Sequence, residues 1–387
     1  MKEPNKLLKC KKELMSKPKL ISIDTSIFGD IAKDYFSDNV VLRSNAEKTV
    51  DYLVINGYIP FVTYHHILEI LQHEDTTTVL KRWSLFQQFP YIAWLRSHDP
   101  DAGLGSIFDI HKIEVLLTLD GLNKNTDLLI QTVEESLINY SKGSEFVELF
   151  QSLYMSVRDL GIPYSQRDKE IESICHVRDK TIDKIKLSSL FDYQLRRPTD
   201  LIQSFKVFEN NLCKHLQTSG DQKLSNPSEV AANFTKDVLR SSVGMYGNDI
   251  SVYEAFLLSS GVKVEQVSTN TTIGQLGSLA VYNQQLKIVL SSLGLPEHLE
   301  KQVPYRSQIT WEIWDHFETA MKFEKFAHGS NMQDKHMCVF ALFTSVFTVD
   351  KRVCEYFNQL TRKNKTLSSV LGSVVKVSHY SNLEALD

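Results

Sequence analysis

The chain has 387 residues, 42% hydrophobic and 23% charged, a globular balance with length for one large domain or two linked ones. Lys and Arg number 43 against 47 Asp and Glu, a net charge of −4, so no global basic field advertises a polyanion and nucleic-acid binding has to come from local patches. Five cysteines, an odd count without a CxxC pair, argue against a disulfide framework and for reduced thiols in the cytoplasm, and no run of about 18 apolar residues is present to span a membrane.

Residues 1–19 are Lys-rich and read as a solvated tail, with phosphate contact by counterion release as its alternative role. LISIDTSIF (20–28) is short, apolar and β-branched, a buried strand running into a loop. SNAEKTVDYLVIN (44–56) predicts a helix, with Ser44 and Glu47 spaced as a capping box. YIPFV (58–62) predicts a second strand, and Thr63 caps the helix of YHHILEILQH, whose Ile67, Ile70 and Leu71 form an apolar stripe. Alternation of strand and helix predicts an α/β unit around a parallel sheet.

From about residue 98 to 305 strand signals are few and helical periodicity recurs, as in DIHKIEVLLTL, DLLIQTVEESLINY and SEFVELFQSLYMSVRDL. Breaks fall at Gly121, Gly161–Pro163, Pro198, Pro227 and Gly294, and 217–228 reads as an exposed loop. This stretch is expected to be an all-α block. Residues 306–387 return to α/β character: a helical stretch with Trp311 and Trp314, a second helix opening near Ser330, the strand SVFTVD, a further helix, and the terminal strand VVKVSHY with one helical turn after it.

Four acidic residues occupy corresponding places in these α/β parts. Asp24 and Asp350 stand at the C-terminal ends of strands, Glu69 lies in the helix after the second strand, and Asp334 lies near the start of the helix before the strand that ends at Asp350. Ligands of open parallel sheets bind beyond the carboxyl ends of the strands, so the four can converge. Clustered carboxylates repel and need a counter-charge; an all-oxygen set without His or Cys suits Mg²⁺ or Mn²⁺ rather than Zn²⁺. Taken alone, Asp24 and Asp334 also fit a turn or a helix start, Asp350 fits pairing with Lys335, Lys351 or Arg352, and Glu74 or Asp75 can stand in for Glu69.

IDTSIF, HHILEIL, SNMQDKHMCVFALF and VFTVDKR follow the order and local setting of the acidic motifs of PIN-like (PilT N-terminus) nucleases, which the chain resembles over roughly residues 20–97 and 306–387. The resemblance implies a Rossmann-like PIN sandwich with a central parallel sheet, interrupted by a large all-α insertion at 98–305. It implies a Mg²⁺- or Mn²⁺-dependent endoribonuclease with Asp24, Glu69, Asp334 and Asp350 as metal-binding catalytic residues, leaving a 5′ phosphate. Thr25, Ser26, Thr348 and Asn331 are candidates to orient the ligands or a water, and Lys335, Lys351 and Arg352 are candidates to contact phosphate. Asp334 comes 265 positions after Glu69, which makes the helical block an insertion expected to select substrate, bind a protein partner or self-associate. Cleavage of DNA, or a non-catalytic adaptor that binds a protein through the helical block, are the alternatives.

The remaining polar and aromatic candidates read as structural. His65 has i,i+4 spacing to Glu69 but fits a buried histidine, as does His66; Trp311 and Trp314 fit the core rather than base stacking. Asp109 and Glu114 reach the acidic site only if the insertion folds back over it.

Overall fold

The computed structural model describes residues 18–386 except 100–102, 123, 177–181, 191–200, 243–251, 306 and 322–323. The Lys-rich tail therefore lies almost wholly outside the described residues. Among the described residues no helix is long and apolar enough to cross a membrane.

The first half of the sheet unit follows the alternation that the sequence predicts. Strand β1 (Lys19–Ser22) leads through α1 (Thr25–Tyr35) and α2 (Val40–Ile55) to β2 (Tyr58–Val62). Helices α3 (Tyr64–Leu71) and α4 (Thr76–Leu85) then lead to β3 (Ile92–Leu95). After α5 (Ile107–Leu119) and α6 (Thr126–Ser136) comes β4 (Ile138–Ser141), followed by α7 (Gly143–Leu149) and α8 (Gln151–His176).

Helices α9 (Leu201–Ser219), α10 (Pro227–Ser242), α11 (Val252–Ser260) and α12 (Ile273–Ser292) come next. The chain then continues through α13 (Ile309–Met321), α14 (Asn331–Cys338), β5 (Val346–Val349), α15 (Lys351–Lys363), α16 (Lys365–Val370) and β6 (Ser373–Lys376).

The six strands form one sheet in the order β4-β3-β2-β1-β5-β6. All pairs are parallel except β3 with β4, where Ile92 faces Ser141 and Leu95 faces Ile138. The fold is α/β around a mostly parallel sheet, as the sequence leads one to expect, with one antiparallel edge strand that the sequence did not announce. The strands β1, β2, β3 and β5 are short and almost continuously buried, as strands covered on both faces must be.

Two compact units divide the chain: 1–165 with 308–318 and 333–387, and 166–307 with 319–332. The boundary expected at residue 98 thus falls inside the first unit. The reason is local. In DLLIQTVEESLINY, Val133 and Leu137 continue the helical stripe of α6, so the periodicity hides the change to strand at Ile138, where Ile and Tyr favour the pleat. The predicted start of α2 also moves: Asn39, not Ser44, accepts the amides of Val41 and Leu42. Helix α8 runs through Gly161–Pro163, where a break was expected.

The core of the first unit gathers Ile21, Ile27, Ile31, Leu53, Ile67, Trp83, Phe86, Ile92, Phe146 and Tyr380 around the sheet. Trp311 and Trp314 stack at 4.5 Å and are 1% and 7% exposed, so neither offers a face to a base. In the second unit Leu212, Leu216, Leu224, Val230 and Ala231 form a small helical core. Its described regular elements are helices, with one isolated bridge between Lys186 and Thr272.

One contact fixes how β6 joins the sheet. A Cβ on Gly372 would stand 1.9 Å from the carbonyl oxygen of Thr344, a backbone atom that cannot swing aside. Gly372→Ala is expected to destabilise the first unit by about 2 kcal/mol or more, since overpacking against backbone forces the chain itself to shift. Urea unfolding checks this; an unchanged midpoint would show that β6 docks loosely.

Candidate functional site

Asp24 and Asp350 follow directly on the C-terminal ends of the adjacent strands β1 and β5, at the place where the strand order reverses direction: β1 leads outward to β2 on one side and β5 to β6 on the other. Crevices at such switch points are where open α/β sheets bind ligands. Asp24, Asp334 and Asp350 line one small cavity there, together with Ser22, His66, Cys338 and Thr348. Its volume is about 20 Å³, room for a single water- or ion-sized species. Anything larger must dock outside it.

Each acid is held by local structure. Asp24 caps α1, accepting the Ser26 amide at 2.9 Å and the Ile27 amide at 3.4 Å, and the Ser26 hydroxyl donates to the same oxygen. The backbone amide of Asp24 donates to Thr348 Oγ1 at 2.8 Å, tying the end of β1 to β5. Asp350 caps α15 by accepting the Val353 amide at 2.7 Å. Asp334 sits in the first turn of α14, where the helix dipole favours an anion. The turn and helix-start roles of these acids are thus present alongside their convergence.

Glu69 does not line the small cavity, but it feels the charges of Asp334 and Asp24 that do. Thr25 donates its hydroxyl to Glu69 Oε2 at 2.6 Å. Burial, with the charges of Asp334 and Asp24 nearby, pushes the Glu69 carboxyl up to about 8, against the weaker pull of Thr25 and Arg82. Glu69 therefore holds a proton at neutral pH unless a cation offsets that field. Asp75, a substitute for Glu69 in the sequence, is exposed and caps α4 instead.

Arg352 is a cation that contacts two of these acids. Its Nη2 donates to Asp334 Oδ2 at 2.8 Å, and its Nε lies 3.7 Å from Asp350 Oδ2. Among the described residues no three His, Cys, Asp or Glu side chains are grouped as a ready-made metal site. The Arg352 guanidinium instead stands against two of the acids. The lining offers three carboxylates and two hydroxyls, with His66 and Cys338 beside them; the carboxylates are donors that suit a hard divalent cation, and the nitrogen and sulfur correct the all-oxygen set expected from the sequence.

The other candidates divide. Thr25, Ser26 and Thr348 are brought to the acids as described. Asn331 belongs to the second unit, where its amide donates to Glu324 at 3.3 Å. Lys335 is buried, donates to Glu318 at 2.8 Å and lies 5.9 Å over the Trp314 ring, so its ammonium is taken up inside the fold rather than offered to phosphate. Lys351 is exposed at the first position of α15.

No family model matches the chain, no curated protein matches it, and no solved structure matches it. What the site can do therefore rests on its own geometry.

His65 and His66 are both buried and held by hydrogen bonds within the fold. Thr63 donates its amide to His66 Nδ1 at 3.2 Å, which leaves Nε2–H to donate to Ser22 Oγ at 3.0 Å. His65 meets Gln333 Oε1 through Nδ1 at 3.0 Å and accepts the Ile107 amide at Nε2. Glu114 accepts from Ile309 and Thr310 at the start of α13, and Asp109 from Ser106, His98 and Ser97, so neither reaches the acidic site. Sequence reasoning missed two members of the site's surroundings. Ser22 lies two residues before Asp24 on β1, a spacing that could have flagged it. Arg82, on α4, packs its guanidinium against Gly29 and acts electrostatically on Glu69; no local pattern marks it.

Proposed function

We propose that this chain is a metal-dependent nuclease acting on RNA, with Asp24, Asp334 and Asp350 holding a Mg²⁺ or Mn²⁺ ion and Glu69 completing the set. The observation that carries the reading is the convergence of Asp24 with Asp334 and Asp350, both more than 300 residues further along the chain, on one ion-sized cavity at the switch point of the sheet. The PIN-like resemblance of the motifs agrees with it, as does the α/β architecture.

A bound divalent ion would stabilise negative charge developing on a phosphodiester. The chain's own groups prepare that chemistry. Ser26 and the α1 amides fix one oxygen of Asp24, so that its rotamer is set before any ligand arrives. Thr348 locks β1 to β5 and with them the spacing of Asp24 and Asp350. Glu69 holds a proton that it can release to a base or to solvent once positive charge enters. Arg352 is placed to leave its acids for a substrate phosphate, which a guanidinium grips through two parallel hydrogen bonds.

The direct test is incubation of the purified chain with single-stranded RNA and DNA of one sequence in Mn²⁺, with and without chelator. RNA fragments bearing 5′ phosphates, lost on chelation, are expected. Preferential cutting of DNA would shift the substrate; no cutting of either, with no heat of Mn²⁺ binding, would leave the adaptor reading.

The role of Arg352 has its own expected result. Arg352→Gln removes a unit positive charge from beside the ion's place and should tighten Mn²⁺ binding by roughly tenfold, a modest share of the Coulomb energy at such range, while weakening RNA binding. Calorimetry with Mn²⁺ alone reads the first effect. Weaker Mn²⁺ binding would mean that Arg352 organises the acids instead of competing for them.

A further inference from the structure

Arg82 stands in the last turn of α4, where the helix dipole suits a cation, and its side chain is half-buried. Its guanidinium lacks the partners that burial demands. Nε is sealed from solvent without a hydrogen-bond partner. Asp30 and Glu69 act on the group through their charges, and among the described residues no carboxylate accepts a hydrogen bond from it or lies within ion-pair range. A guanidinium carries five N–H donors and no acceptor, and buried donors left without acceptors are costly.

A glycine makes room for this group. A Cβ on Gly29 would stand 2.6 Å from Nη2 and 2.8 Å from Nε of Arg82, so the guanidinium lies directly on the backbone of α1. Gly29 is buried in the interior of that helix, where glycine is less favourable than alanine. An unpartnered guanidinium and a mid-helix glycine each lower stability, and local rules broken together mark a group kept for a ligand. Position identifies the ligand class. Thr25, whose hydroxyl donates to Glu69 at 2.6 Å, precedes Gly29 by four positions, so the two lie on one side of α1 about one helical turn, ~5.4 Å, apart. The guanidinium is thus stationed one turn from the acid set.

We propose that Arg82 binds a backbone phosphate of the RNA strand, next along the strand from the phosphate at the acids. The inference rests on the nuclease reading for the identity of its ligand. Two phosphate oxygens take the parallel N–H bonds that a guanidinium offers, and partial burial strengthens them. Asp30 is exposed and outside ion-pair range, so water and salt screen its charge from the bound phosphate. A contact to the backbone fixes the register of the strand and carries no sequence information, so Arg82 holds any single strand in place while the acids act on the neighbouring bond.

Fluorescence anisotropy on the full chain with a labelled single-stranded RNA, in chelator to suppress cleavage and over a range of salt, tests it. Arg82→Met keeps the apolar stem and removes the charge. It should weaken binding by about tenfold or more for every sequence tried and reduce the salt slope by about 0.7, the share of one phosphate on a single strand. Its urea midpoint should not fall, since apolar atoms replace donors without partners; a purely structural arginine predicts the reverse. Arg82→Lys should keep the salt slope and recover part of the affinity. Gly29→Ala leaves the charge but pushes the guanidinium off the backbone, and should weaken binding without lowering the midpoint. In Mn²⁺, Arg82→Met should raise KM for RNA and leave kcat nearly unchanged. Parent affinity and salt slope in folded Arg82→Met protein, or a lowered midpoint with the slope unchanged, would overturn the inference and leave the nuclease reading standing. The expected loss of binding in that variant, with no cleavage by the parent chain, would uphold the phosphate contact and remove the nuclease reading instead.

Discussion

Asp24→Asn and Asp350→Asn should each reduce Mn²⁺-dependent RNA cleavage by on the order of 10³ while leaving the fold intact. Removing one preorganised electrostatic group from a reacting centre costs rates of that order, and an amide cannot replace a carboxylate's charge on a divalent ion. The choice of Asn separates chemistry from structure. Both residues are helix caps, accepting the amides of Ser26 and Val353, and Asn caps a helix about as well as Asp. The loss of one negative charge from a mutually repelling set offsets whatever the weaker acceptor costs. Denaturation midpoints should therefore agree with the parent protein within about 0.5 kcal/mol, the usual range for a change that spares packing. Asp→Ala variants would lose the cap as well, at about 1 kcal/mol each. Unchanged cleavage in both Asn variants would leave Asp24 and Asp350 as caps and nothing more.

How far the site was readable depends on which interaction is meant. Asp24 and Asp350 were legible because parallel strands announce themselves as apolar β-branched runs, and their C-terminal ends are where ligands gather. Thr25 and Thr348 were legible through proximity to those ends. The partners of the basic residues were not. Lys335 follows Asp334 directly in sequence, yet helical geometry sends neighbours to different faces, and Lys335 points inward to Glu318 and Trp314. Arg352 was legible as a cation near the acids, but its bridge between Asp334 and Asp350 requires the packing of α14 against the end of β5. Strand β4 escaped notice because the apolar spacing of α6 runs on into it. Propensity could have separated them only weakly, since strand preference is largely a statement about neighbours.

The stability of the sheet unit should peak near pH 6.5 and fall steeply on the acid side. His65 and His111 are held down to about 4, and His66 to about 3, by burial; His66 feels His65 in addition. His336 is lowered well below the usual histidine value by burial and by His65 beside it. In the unfolded chain these four imidazoles gain protons near pH 6.5, so between pH 6.5 and 4 the unfolded state binds more protons and stability falls as pH drops. Two carboxyls act in the opposite sense. Burial raises Glu114 to about 7 and Glu69 to about 8, so from about pH 4.5 upward the folded state holds protons that the unfolded state has lost, and their contribution declines as pH rises through those values. These four imidazoles, joined by His316, which burial also lowers, outweigh two carboxyls and leave an excess of about two protons or more in the unfolded chain near pH 5.5, a slope of about 3 kcal/mol per pH unit. That is large beside a typical total stability of about 5–15 kcal/mol. The loss from pH 6.5 to 5.5 is about 1.5 kcal/mol, since the slope grows from near zero, and the melting temperature should fall by roughly 5 °C over that interval and decline more gently above pH 7. A flat melting temperature from pH 5 to 7 would show that the histidines take up protons without unfolding. His111→Leu isolates one member: among its ring atoms Nε2 has no hydrogen-bond partner, so the substitution removes a titrating group without breaking a bond there and should lower the acid slope by about one proton.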